Sequence, residues 1–252
     1  MSTGFHSSQP GTGQRVARAS GTMTPAASSS GGMGGPDGPP LLLPAAAFAV
    51  LTIAATATGV GVPQPGAAPA VIAAYVAGHS GLLDVQATLL FASAVPLAIW
   101  AAVAFRRLRR LGVTAPGPLI GYAAGLLAAA SLTASAVTTW TLAHAGRDPA
   151  VADALRTLAF AAGAAGFVVP LGLLLAGIAV PTLLRRLAPS PLGWAGLVIA
   201  VTGLLATLTL LTPALDPLLA IGRFGGLLWI IAASLTLHRP AGPHVERGGQ
   251  AA

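Results

Sequence analysis

The sequence contains no cysteine and no lysine, and only 8% of its 252 residues are charged. Without cysteine, the chain can form no disulfide, thiol nucleophile or cysteine-ligated metal site. A soluble domain carries about 25% charged residues, so a soluble fold of this length would lack the charges that solvate its surface. Hydrophobic residues make up 54% of the chain instead. This composition indicates an integral membrane protein.

Long apolar segments alternate with charged or proline- and glycine-rich breaks. Most are about 20 residues long and rich in Ala and Leu, which matches a membrane-crossing helix, and they lack the period-two alternation of barrel strands. The sequence therefore predicts an all-α polytopic transmembrane helix bundle. Its six or so spans are predicted at 41–61, 82–105, 119–143, 154–184, 192–212 and 218–237. A further apolar stretch, 67–78, is too short to cross and is predicted to lie at the outer interface or to re-enter the bilayer.

Two tail segments flank the predicted membrane domain at 41–238. Residues 1–40 are rich in Gly, Ser and Pro and are predicted to be disordered, with Met23 or Met33 as alternative start sites. Residues 239–252 are predicted to form a short polar tail. The first apolar run exceeds the 7–15 residues of a cleaved signal peptide, so we expect an uncleaved anchor. The alternative, cleavage near Ala67 or Ala70, would leave five spans.

The arginines predict the orientation of the spans in the membrane. Each arginine at a bilayer centre would cost roughly 2.5–3.5 kcal/mol, so clusters mark span ends, and cytoplasmic loops carry them in excess. The topology determinants are predicted to be Arg106, Arg107, Arg109, Arg110, Arg185 and Arg186. They predict a multi-pass protein of an inner membrane with both termini in the cytoplasm. The absence of lysine beside abundant Ala, Gly and Arg is typical of GC-rich codon usage and favours a bacterial source. Contact of these arginines with anionic lipid is a further expectation.

Most of the remaining ionisable residues gather at the predicted outer rim. Asp84, Arg156 and Arg223 each lie within a turn or two of a span end, where water is scarce. An arginine at such a depth favours a carboxylate partner. We therefore predict that Asp84 pairs with Arg156 or Arg223. The pair is interpreted as a salt bridge that fixes helix ends, with a ligand-binding role as the alternative.

Small residues recur at three- and four-residue steps along the third span. Gly121, Gly125, Ser131 and Ser135 fall on this stripe. Small residues let helix backbones approach closely, and hydroxyls can hydrogen bond between helices. We interpret the stripe as a packing surface, with a hydroxyl-lined conduit as the alternative.

The sequence predicts no catalytic, cofactor-binding or metal-binding residues. It contains no HExxH motif and no GxSxG elbow, and no glycine-rich turn follows a strand to open a nucleotide-binding helix. It also lacks the combined aromatic and basic patch that is typical of nucleic-acid binding.

Three short strings in the second half carry a resemblance to a known family. They are FVVPLGLLL at 167–175, PSPLGWAG at 189–196 and RFGGLLW at 223–229. With them, residues 41–238 resemble a family of bacterial integral membrane proteins of unknown function. The resemblance implies about six spans, and it implies no activity or site residues.

Three functions compete at this point. The leading hypothesis is a non-enzymatic structural protein, or one that interacts with a membrane-protein partner or with a second copy of itself. The first alternative is a passive permease or channel for a small solute. The second is an outer-face ligand sensor or enzyme that uses Asp84, Arg156 and the nearby histidines His79 and His144.

Overall fold

The computed structural model describes residues 41–237, apart from the side chain of Pro213. In this part of the chain the helices are α1 (Leu42–Thr58), α2 (Pro69–Arg110), α3 (Gly117–Ala145), α4 (Pro149–Gly163), α5 (Ala165–Leu184), α6 (Ser190–Leu205) and α7 (Asp216–Leu237), with short 3-10 segments at Ala206–Leu210 and Pro213–Leu215. The predicted tails at 1–40 and 239–252 lie outside the described residues. The all-helical prediction is confirmed.

Within residues 41–237, five apolar helical stretches are long enough to cross a membrane. They are Pro69–Arg110, Gly117–Ala145, Pro149–Leu184, Ser190–Leu210 and Asp216–Leu237. The first helix, α1, has 17 residues. At 1.5 Å per residue it would span about 25 Å, which is at the lower limit for a crossing helix.

The apolar stretch 67–78 leads into α2, and its placement at the outer interface or as a re-entrant segment stays a prediction. It forms the first turns of α2, which begins at Pro69, a position where proline is well tolerated. The backbone of α2 leaves helical geometry at His79, with φ −134° and ψ 25°. Beyond this kink the helix continues to Arg110. The sequence has no proline at the kink that would predict it.

The predicted fourth span, 154–184, is also discontinuous in the structure. Helix α4 ends at Gly163 and α5 begins at Ala165, because Ala164 adopts φ −96° and ψ −98°. The N–H of Phe167 therefore donates to the carbonyl of Ala164 at 3.1 Å rather than to that of Gly163. In a continuous helix, Phe167 would have bonded to Gly163. The break thus leaves the Gly163 carbonyl without its intrahelical donor.

The helices pack through glycines in an antiparallel arrangement. Gly117 and Gly121, at the start of α3, lie against Gly177 near the end of α5. Gly172 of α5 lies against Gly203 of α6 in the same way. These close backbone approaches are typical of membrane helices. Helices α3 and α5 run in opposite directions, so the start of α3 and the end of α5 lie at the same end of the bundle. The two arginine clusters, at 106–110 and 185–186, lie at this end, which we call the arginine end.

Candidate functional site

A cavity of about 390 Å³ opens at the opposite end of the bundle, which we call the cavity end. It is lined by the end of α1, the first half of α2, the last turns of α3, the face of α4 and the first turns of α7. Its polar lining comprises Thr56, Gln64, Gln86, Ser135, Thr139, Arg156, Asp216 and Arg223. Most of the remaining lining is apolar, with Leu83, Leu90 and Phe160 among the larger side chains. The cavity has the size and the mixed lining of a small-molecule site.

Arg156 lies on the α4 wall of the cavity. Asp148 caps the start of α4, where its Oδ1 accepts hydrogen bonds from the N–H of Ala150 at 2.9 Å and of Val151 at 3.2 Å. About two helical turns after this cap, the Nε of half-buried Arg156 donates to the carbonyl of Pro63 at 2.8 Å. Its guanidinium carbon is 5.8 Å from the ring centre of Phe160. Arg156 therefore ties α4 to the α1–α2 connection.

Arg223 reaches the break between α4 and α5 from helix α7. Its Nη2 donates to the carbonyl of Gly163, the group that the break releases from the helix. Its guanidinium carbon is 5.3 Å from the ring centre of Phe167, in the range of a cation–π contact. One carbonyl and one aromatic ring thus fix the orientation of this cation. Arg223 also lines the cavity.

The predicted pairing of Asp84 with Arg156 or Arg223 is wrong. Asp84 Oδ1 lies 3.5 Å from Nδ1 of His144, at the adjoining ends of α2 and α3. The two side chains are 40% and 51% exposed, respectively, and Asp84 does not line the cavity. Both arginines donate to backbone carbonyls instead. The carboxylate that does line the cavity is Asp216, in the first turn of α7.

The small-residue stripe of α3 lies between helices. Gly121 is against the backbone of Leu174 and Gly177, and Gly125 is against Ala101 and Leu174. Buried Ser135 donates to the carbonyl of Ala159 at 2.8 Å, which joins α3 to α4. Ser131 is half-buried beside Gly166. The stripe therefore acts as a packing surface over most of its length, and Ser135 also lines the cavity.

A densely packed layer follows the cavity along the helices towards the arginine end. Its large members, each at most 1% exposed, are Phe48, Leu97, Trp100, Leu132, Phe167 and Leu171. Within this layer, Nε1 of Trp100 on α2 donates to Oγ of Ser234 on α7 at 2.8 Å. Five of the six predicted topology determinants are exposed and Arg107 is half-buried, all at the arginine end.

Several lining residues were not singled out from the sequence. Thr56 and Thr139 lie in the last turns of α1 and α3, and Gln64 lies in the loop before α2. Gln86 lies within α2, about two turns past the kink. These residues belong to no recognisable motif, so nothing in the sequence distinguishes them. Phe160 is similarly one apolar residue among many. The helical spacing of Arg156, Phe160 and Gly163, at i, i+4 and i+7, was the available signal that they share one face.

No family model, curated protein or solved structure matches this chain.

Proposed function

We propose that this membrane protein binds a small solute in the cavity from one face of the membrane. The proposal rests on the cavity of about 390 Å³, which the described residues line with two arginines, one carboxylate and several amides and hydroxyls. A span that serves only to pack needs no such cavity. The proposal takes up the ligand-sensor alternative and drops Asp84 from the site. Enzyme activity is not part of it.

The packed layer beyond the cavity favours binding over conduction. Leu97 and Trp100 are each 0% exposed, and they follow the lining residue Leu90 by about two and three helical turns. Within the described residues, a solute that enters at Gln86 would meet these side chains before it reached the arginine end. We therefore rank a permease or channel function second, after solute binding.

The orientation follows from the arginines. Positive charges favour the cytoplasmic side, so the arginine end would face the cytoplasm and the cavity would open outward. An inner membrane, cytoplasmic termini and anionic-lipid contact at Arg106, Arg109 and Arg186 belong to the same proposal. Membership of the family of unknown function and association with a partner or second copy stay predictions.

Cysteine reactivity tests the one-ended cavity, because the native chain has no cysteine to give a background signal. In the full chain in liposomes, Gln86→Cys should react with a water-soluble sulfonate methanethiosulfonate, and Leu97→Cys should not. Both positions lie on α2, so they form a matched pair. Ala220→Trp should slow the reaction at Gln86→Cys, since Ala220 lines the cavity, and Ala130→Trp, exposed on α3, should leave it unchanged. Comparable reaction at Leu97→Cys would instead support a conduit.

A further inference from the structure

We propose that the solute is a small organic anion, whose carboxylate or phosphate oxygens bind Arg223 while its apolar part contacts Phe160 and Leu90. This inference rests on the proposed function of the cavity and adds the chemical class of its ligand. It also assigns Arg223 as the anchoring residue.

The first support is the balance of charge. Among the described residues, two guanidinium groups and one carboxylate, Asp216, line the cavity. Within residues 41–237, Asp84 lies near His144 rather than near either guanidinium group. A cation held among apolar side chains in a membrane protein is costly to maintain and usually marks a functional site. An anionic ligand would offset that cost.

The second support is how Arg223 is held. Guanidinium carries five N–H donors in a planar fork that matches carboxylate and phosphate oxygens. Within residues 41–237, this group makes one hydrogen bond, from Nη2 to the carbonyl of Gly163. The ring of Phe167 covers one face. Arg223 is therefore oriented in advance, and further N–H groups remain for a ligand.

The third support is depth. Arg223 lies seven residues after Asp216 on α7, which places it about 10 Å further into the bundle. On α4, its partner Gly163 is likewise seven residues beyond Arg156, with Phe160 between them. The walls thus present a cation at the inner end of the cavity and an aromatic ring above it. This order suits a molecule with a charged head and an apolar body.

The anionic head group could belong to a soluble acid or to a phospholipid, since both present the same oxygens. Equilibrium dialysis of labelled probes against the full chain in nanodiscs separates the two sources. The probes are hexanoate, 1-hexanol and inorganic phosphate, with empty nanodiscs as background. One nanodisc preparation contains only phosphatidylcholine, and the other also contains phosphatidylglycerol. Displacement of hexanoate by phosphatidylglycerol assigns the site to a lipid head group, and unchanged binding assigns it to a soluble anion.

We expect saturable hexanoate binding that is at least about tenfold tighter than 1-hexanol binding. Arg223→Gln should weaken hexanoate binding by at least about tenfold, and Arg223→Lys, which keeps the charge but loses the fork, by less. Arg109→Gln, at the arginine end, is the matched control and should stay within about twofold of the native chain. The lysine variant serves if the glutamine variant does not fold.

Equal binding of hexanoate and 1-hexanol, or unchanged binding in both Arg223 variants, would overturn the anion assignment while leaving a solute-binding cavity in place. Failure of both hexanoate and phosphate to bind would overturn it as well. The one-ended cavity itself fails separately, by the cysteine reactivity of Leu97→Cys.

Discussion

The guanidinium of Arg223 on α7 donates to the carbonyl of Gly163, at the point where the path of α4 into α5 is broken. The break supplies an acceptor without a backbone donor, and the arginine supplies a donor from another helix. This contact links three helices at the inner end of the cavity. It orients the guanidinium group two turns into a span through a carbonyl rather than through a carboxylate of the described residues.

Gly163 should tolerate no larger residue, because a Cβ there would lie 2.5 Å from Oγ of Ser135. We expect Gly163→Ala to lower the free energy of unfolding by about 1–3 kcal/mol, the usual cost of overpacking. Thermal unfolding in detergent measures the change. Combining it with Ser135→Ala should cost less than the sum of the two single changes, since the second removes the clashing oxygen. Strict additivity would contradict this contact.

The hydrogen bond between Trp100 and Ser234 should stabilise the packed layer. Ser234→Ala would leave a buried indole N–H without its acceptor, at a cost of about 1–3 kcal/mol. Thr236→Ala on the same helix is the control, because that hydroxyl bonds only to carbonyls of its own helix. Equal loss of stability in the two variants would argue against the interhelical bond.

Two glycines should respond to alanine in opposite directions. At Gly177, a Cβ would come within 2.6 Å of the backbone of Gly117 and Gly121, so Gly177→Ala should force α3 and α5 apart and destabilise the bundle. At Gly81, no heavy atom of the described residues lies within 4 Å of the added Cβ, apart from α2's own neighbouring residues. Gly81→Ala should therefore stabilise α2 by about 0.5–1 kcal/mol through reduced backbone entropy. Comparative thermal unfolding decides, and a stable Gly177→Ala protein would refute the close approach.

The residues that follow α2 and α5 should also respond to substitution in opposite directions, because both have a positive φ. Gly112 after α2 has φ 78°, and Arg186 after α5 has φ 51°, a left-handed conformation that glycine adopts readily. We expect Arg186→Gly to raise the free energy of unfolding and Gly112→Ala to lower it, each by about 1 kcal/mol. Chemical denaturation of the purified chain checks the signs. A loss of stability in Arg186→Gly would show that the charge of Arg186 outweighs its backbone strain.

Much of the fold could be predicted from the sequence because lipid imposes a simple rule. Apolar runs of crossing length, separated by arginines and prolines, indicate helices. For α3 and α7 the predicted bounds, 119–143 and 218–237, fall within two residues of the observed Gly117–Ala145 and Asp216–Leu237. The interruptions at His79 and Ala164 are not predicted, although glycines flank both, at 78 and 81 and at 163 and 166. An isolated glycine in a helical pattern does not by itself indicate whether the helix breaks.

The site was predictable in its residues but not in its pairing. Depth in the membrane singled out Arg156 and Arg223, and both line the cavity. At that depth the residue types favour a carboxylate partner, and Asp84 is the candidate in the sequence. The structure supplies backbone acceptors at Pro63 and Gly163 instead. A carbonyl freed by a helix break leaves no trace in residue type.

The sidedness of the two ends of α2 tests the account most directly. Gln86 lines the cavity and Arg107 lies at the arginine end, 21 residues further along, or about 31 Å of helix. A membrane-impermeant maleimide should label single cysteines at the two positions from opposite faces of the membrane. We expect Gln86→Cys to be labelled in intact cells and Arg107→Cys to be labelled from the cytoplasmic face, in inverted vesicles. Labelling of both from one face, or of Gln86→Cys from the cytoplasm, would contradict a cavity that opens outward.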